Sequence, residues 1–175
     1  KFRKLKEILT KKIRYLKPKD FNLNEPVENG KTFKENAKIK SVFAAKKSGL
    51  ICISDDSGLE VDALDKKPGI FSARWAGKTK NFDIAIKKIF NLLNKIKKLN
   101  FKARFICAIS LAFPNGKSFE FQGKVEGKIS FPARGKKGFG YDPIFIAKGK
   151  KITFAQMNKK EKNLISHRFD AFKKI

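Results

Sequence analysis

The hydrophobic pattern changes period several times along the chain, and each change marks an element. From Phe101 to Phe113 the residues Phe101, Ala103, Phe105, Cys107, Ile109, Leu111 and Phe113 share one face, which predicts a strand. The other face turns apolar from Ile106, as in a strand that enters a sheet interior. Pro114-Asn115-Gly116 predicts a hairpin turn, and Phe119 to Val125 the returning strand. Asn81 to Lys97 has the helical period, with Phe82, Ile86, Ile89, Phe90, Leu93 and Ile96 on one face. Phe2, Leu5, Ile8, Leu9 and Ile13 predict another helix over Phe2–Ile13. Thr32-Phe33-Lys34-Glu35 has the form of a capping box, so a helix follows to Ser48 and closes at Gly49.

Shorter runs complete the pattern. Leu50-Ile51-Cys52-Ile53 predicts a buried strand, Leu59 and Val61 a brief second one, and Ile144-Phe145-Ile146 a last one. Tyr15 to Lys17 predicts a short strand ahead of a loop from Pro18 to Gly30, and Pro68-Gly69 marks a turn. Asn158 with Glu161 opens a helix, and Ser166 caps another that begins at His167. No repeat or linker interrupts the chain, so residues 1–175 are expected to form one domain.

Composition narrows the class. The chain is 41% hydrophobic, enough for a packed core, and no apolar run approaches the ~20 residues that cross a bilayer. Cys52 and Cys107 both sit in apolar runs, as small core residues of a reducing compartment do, and the cytoplasm is the expected location. The net charge of +26 favours anionic ligands, yet only Arg3, Arg14, Arg74, Arg104, Arg134 and Arg168 among the 42 basic residues are arginine. A nucleic-acid reader uses the arginine fork more, and the lysines here are scattered. Drift toward A/T-rich codons and a selected polyanion surface both remain open explanations of the charge.

Candidate chemistry centres on Ser54-Asp55-Asp56-Ser57-Gly58, read as a turn at a strand end, where Gly58 frees the backbone. Adjacent carboxylates there are costly unless a cation or a base-catalysed reaction uses them. An Asx turn with both carboxylates solvated is the alternative. Glu35 reads as a helix cap, whereas Glu28 in the loop before it is either a solvated acid or a second carboxylate for the Asp55/Asp56 site. The Gly135–Gly140 loop is not a Walker A sequence, since no Gly-Lys-Ser/Thr closes it before a helix.

Four stretches together resemble one family. They are Ser54-Asp55-Asp56-Ser57-Gly58-Leu59-Glu60-Val61-Asp62, Pro68-Gly69-Ile70-Phe71-Ser72-Ala73-Arg74, Gly138-Phe139-Gly140-Tyr141-Asp142-Pro143-Ile144-Phe145, and Glu161-Lys162-Asn163-Leu164-Ile165-Ser166-His167-Arg168. With Thr32-Phe33-Lys34-Glu35-Asn36-Ala37 they resemble the Ham1/RdgB-like purine nucleoside triphosphate pyrophosphatases, the inosine triphosphatase family. The resemblance implies an α/β fold: an elongated mixed β-sheet flanked by helices, with two lobes and a central cleft. It implies a homodimer that uses Mg²⁺ to hydrolyse ITP, dITP and XTP to the monophosphate and pyrophosphate, so cleansing the nucleotide pool. It also implies a first strand upstream of residue 1, leading into a Thr/Ser-x-Asn-x-x-Lys phosphate loop. Of that loop only its last residue, Lys1, is present, and the family's Glu three residues on is Lys4.

By the same resemblance Asp56 and Glu28 are metal positions, and Asp56 is the proton acceptor, a role Asp55 could share. Lys1, Lys40, Ser57 and Arg74 fall at substrate positions, as does the Phe139-Gly140-Tyr141-Asp142 run. Lys162, His167 and Arg168 complete the set. Arg74 has packing against Trp75 or a dimer contact as its other reading. Hypoxanthine and xanthine present an O6 acceptor where adenine presents an amino donor, so fixed donors from His167 and Arg168 would select the former. Phe139 would stack on the base and Asp142 accept from a ring N–H. On a continuous helix Lys162 would point away from His167, so their convergence requires a break near Ser166. Two rival functions stand beside this one: a basic nucleic-acid-binding protein on the same scaffold, and a house-cleaning pyrophosphatase with another base preference.

Overall fold

A computed structural model describes residues 14–96 and 101–175. Lys1, the helix predicted over Phe2–Ile13 and the helix end predicted at Lys97 lie outside those residues. The strands β1 (Cys52–Val61), β2 (Lys102–Ala112), β3 (Ser118–Ile129) and β4 (Phe145–Ala147) form one sheet in sequence order. Every pairing between these strands is antiparallel. Helices α1 (Phe33–Ser48), α2 (Phe82–Ile96), α3 (Lys159–Leu164) and α4 (His167–Phe172) flank this sheet, giving the α/β architecture.

The pleat decides which side chains meet which helix. Asp56 pairs with Ala108, and Asp55 with Ile109, so the two neighbours face opposite sides of the sheet. Helix α1 covers the side of Ala108: Phe33 and Ala37 pack on Ile106 and Ala108, and Ser41 Oγ donates to Ser110 Oγ at 2.8 Å. Helix α4 covers the other side, where Ala171 packs on Cys107 and Ile109. Gly123 of β3 makes that approach possible, because a Cβ there would lie 2.2 Å from the Ala171 nitrogen and 2.3 Å from the His167 carbonyl oxygen. The largest core cluster joins Leu59, Val61, Phe105, Phe145 and Phe154 to Ile89 of α2. Each such fully buried large side chain contributes about 1.5–3 kcal/mol.

Several sequence expectations meet a correction here. Ser54–Gly58 is not a turn at a strand end, nor an Asx turn: β1 runs unbroken for 10 residues, from Cys52 to Val61. Leu50 and Ile51 precede it and are exposed. Gly58 is required by crowding and not by a turn, since a Cβ would lie 2.3 Å from the Gly69 carbonyl oxygen and 2.5 Å from Ser72 Oγ. Tyr15–Lys17 is not a strand. The Lys17 N–H donates to the Asp20 carboxylate at 2.8 Å, capping a 3₁₀ turn at Pro18–Phe21. The apolar stripe of α2 is rotated from the predicted one, with Ala85 fully buried and Phe90 and Ile96 exposed. Alanine lets the helix lie close to the core, whereas Phe90 turns to the Phe131 ring, 4.9 Å away.

The caps stand as predicted. Thr32 Oγ1 accepts from the Glu35 N–H at 3.1 Å, Asn158 from Glu161 at 2.8 Å, and Ser166 from Phe169 at 3.2 Å. Glu35 turns back to the Lys31 N–H at 2.6 Å. Gly49 closes α1 in the left-handed conformation at φ 69°. The two cysteines are free thiols, and no helix among the described residues is long and apolar enough to cross a membrane.

Candidate active site

On the α1 side of β1, two carboxylates converge on one ammonium. Lys40 Nζ lies 2.5 Å from Glu28 Oε1 and 3.9 Å from Asp56 Oδ1. Asp56 is buried, and the Asn36 amide donates to its Oδ2 at 3.3 Å. The same Asn36 accepts from the Gly30 N–H at 2.8 Å, so one buried side chain fixes both Asp56 and the loop that carries Glu28. Arg74 holds that loop from the other end, donating to the Glu28 carbonyl oxygen at 2.6 Å while its guanidinium lies over Phe71. Trp75 meets Lys88 instead of Arg74.

On the α4 side lies a second group. Asp55 is 3.5 Å from Arg168 Nε and accepts from Ser57 Oγ at 3.1 Å. The Ser57 N–H donates to Asp56 Oδ1 at 3.0 Å, which ties the two groups together across the strand. The helix break at Ser166 turns Arg168 back toward Lys162. Both cations lie over the half-exposed Phe139 ring, at 5.3 Å and 5.1 Å. Asp142 receives the Lys162 ammonium and the Phe139 N–H. Burial pushes the Lys162 ammonium below its usual value, against the pull of Asp142, and nearby Arg168 adds to that depression. His167 is buried and stacks on Phe105 at 4.9 Å, with Nε2 3.2 Å from Arg168 Nη1. A guanidinium only donates, so Nε2 is the acceptor in that contact.

Two further expected site residues, Tyr141 and Gly140, follow Phe139 in the chain. Tyr141 is buried, donates its hydroxyl to the Ser72 carbonyl oxygen at 2.9 Å and sets its ring edge-on to Phe82; burial pushes its phenol pKa up. Gly140 takes a left-handed turn at φ 68°, between Phe139 and Tyr141. Asn36 is the residue that sequence reasoning left out. Its signal was a polar side chain in the same helical stripe as Phe33 and Ala37, three and one positions away.

Among the described residues no cluster of three or more His, Cys, Asp or Glu could hold a metal ion. The Glu28–Asp56 pair suits a different mode of binding. Mg²⁺ keeps several waters and takes one or two carboxylates together with substrate phosphates, and these two carboxylates already share a cation between them.

An α/β sheet with a group of paired charges on each side of β1 is the class that fold and site define, and comparison with known proteins refines it. The Ham1 family profile matches residues 1–175. A protein of Zymomonas mobilis named dITP/XTP pyrophosphatase is 44% identical over 177 aligned positions, covering all of this chain and 85% of that protein. One of the same name from Caulobacter vibrioides is 47% identical, over 87% of this chain and 79% of its own. The solved structure of a HAM1 protein from Coxiella burnetii superposes with a TM-score of 0.93 at 38% identity, covering 98% of this chain and 89% of that one. The Staphylococcus aureus Ham1 protein gives 0.81 at 43% identity, over 87% and 78%. The chain belongs to the Ham1 family.

Proposed function

We infer that this protein is a nucleoside triphosphate pyrophosphatase that hydrolyses ITP, dITP and XTP to the monophosphate and pyrophosphate. The observation that carries the reading is the pair of charge groups flanking β1, one fit for phosphates and one for a base. The names of the relatives point the same way. The base stacks on Phe139, with Arg168 and Lys162 above that ring and His167 beside it. Donors at that edge meet the O6 of hypoxanthine or xanthine, and would face another donor in adenine. The phosphates extend past Ser57 toward Lys40, whose ammonium neutralises charge that builds on the leaving pyrophosphate.

Asp56 takes the proton from the attacking water. Water oxygen bonds to the α-phosphorus, the bond from that phosphorus to the bridging oxygen breaks, and pyrophosphate leaves with its electrons. Asn36 and the Ser57 N–H hold the Asp56 carboxylate in place through that step. Asp56 and Glu28 are the residues that would hold Mg²⁺, which supplies charge neutralisation and orients the phosphates. Asp55 faces away from this chemistry and serves to position Arg168. The enzyme works as a homodimer in the cytoplasm, on the free nucleotide pool.

Pyrophosphate release with Mg²⁺ from ITP, dITP, XTP, ATP and GTP tests the reading. It predicts turnover of the first three and at least ~100-fold lower kcat/KM for ATP, whose 6-amino group faces those donors. Guanine keeps O6, so slow GTP requires a pocket that also excludes its 2-amino group. Equal turnover of all five would move the assignment to a pyrophosphatase with another base preference. No release from any of them, with salt-sensitive binding to DNA or RNA that is indifferent to Asp56→Asn, would replace it with the nucleic-acid reading.

A further inference from the structure

A cavity of about 540 Å³ lies between the C-terminal half of α2, the end of β3 and the turn after β4. None of the residues assigned to the candidate active site lines it. Its volume is that of an ordinary small-ligand pocket. Aromatic surface comes from Phe90 and Phe131, whose rings meet edge-on at 4.9 Å with Phe90 half-exposed. Around them stand Lys128, Arg134, Lys150 and Lys151, and no carboxylate is among the lining residues. None of these four cations has an ion-pair partner among the described residues, although other basic side chains, such as Arg104 and Lys162, are matched to carboxylates. Arg134 is held by a hydrogen bond from its guanidinium to Ser130 Oγ at 2.9 Å, which leaves further N–H donors of the fork for another acceptor.

Four like charges around one apolar hollow repel each other, and an anion that enters relieves the repulsion. The half-exposed Phe90 ring gives that anion an aromatic surface to lie on. We propose that this cavity is a second binding site, for a phosphorylated ligand with a planar ring, about the size of a mononucleotide. Arg134 also borders the segment that carries Phe139. The Arg134 N–H donates to the Pro143 carbonyl oxygen and its own carbonyl accepts from Thr153 Oγ1, next to the Gly135–Gly140 loop that leads to Phe139.

The test is an ¹⁵N-detected titration of the full chain with AMP, with inorganic phosphate and with adenosine, repeated on Lys128→Gln/Lys150→Gln/Lys151→Gln. These three lysines are exposed and outside the catalytic set, so the triple variant is expected to fold and to keep its pyrophosphatase turnover. The proposal predicts saturable AMP shifts at Lys128–Phe131 and Lys150–Lys151, separate from any at His167 and Arg168. It predicts AMP binding at least tenfold tighter than phosphate or adenosine, and weakened at least tenfold in the triple variant. AMP shifts confined to the His167 region, or equal affinity in the triple variant, would overturn the site. Phosphate that binds there as tightly as AMP would overturn the planar-ring assignment.

Discussion

Lys162 and Asp142 are both almost fully buried and paired with each other, which makes each depend on the other. Burial of one ionised group without its partner costs several kcal/mol, so Lys162→Met is expected to destabilise the fold by about 3–5 kcal/mol. Replacing both by apolar residues of similar size costs far less, and denaturant unfolding of the single and double variants distinguishes the two cases. Asn36 carries a different weight, because it spans two parts of the site without touching the reaction. Asn36→Leu is expected to lower kcat roughly ten- to hundredfold, as loss of an orienting hydrogen bond does, with a smaller change in KM. A variant with unchanged kcat would show that Asp56 is oriented by other contacts. Of the residues in the site, the carboxylates were legible in the sequence because two adjacent acids in an apolar setting are unusual. Their division between two faces was not legible, since it follows from β1 being a continuous strand and not from the residues themselves.

The elements are placed by small residues as much as by large ones. Gly123 is the contact point between β3 and α4, so Gly123→Ala drives a methyl group into the backbone of the helix that carries His167 and Arg168. Overpacking of this kind costs about 1–3 kcal/mol, and the displaced helix should raise KM for ITP more than it lowers kcat. Unchanged stability would mean that α4 has room to shift. The long periodic elements were legible because their apolar spacing repeats over many residues, and the caps because Thr32, Asn158 and Ser166 have a chemical reason to stand where they do. Leu50 and Ile51 misled because a short apolar run has no period to test, and tertiary packing begins the strand at Cys52 instead.

Across the whole molecule, 42 basic residues face 16 acidic ones, so each acid that organises a cluster matters for stability. Arg104 gathers Glu60, Asp62 and Glu126 from three neighbouring segments. Burial pushes the Glu126 carboxyl up, but hydrogen bonds from Arg104 and Lys124 outweigh it and hold the group below its ordinary value of 4.5. A carboxyl lowered in the fold adds stability that is complete above its ordinary value and drains away as pH falls through the folded one. Glu126→Gln is therefore expected to lower the unfolding midpoint near neutral pH and to narrow the gap from wild type as pH falls to ~3. A gap that stays constant with pH would assign the effect to packing. The net charge itself gave no direction in the sequence, because scattered lysines suit a drifted composition and an anion-binding surface equally.

In the proposed reaction the pleat of β1 gives two adjacent aspartates separate duties, chemistry to Asp56 and positioning of Arg168 to Asp55. Steady-state kinetics of pyrophosphate release from ITP by Asp56→Asn and Asp55→Asn test it most directly. The prediction is that Asp56→Asn loses about 10²–10⁴-fold in kcat with KM little changed, while Asp55→Asn raises KM and keeps most of kcat. An equal collapse of kcat in both variants, or a larger one in Asp55→Asn, would contradict it.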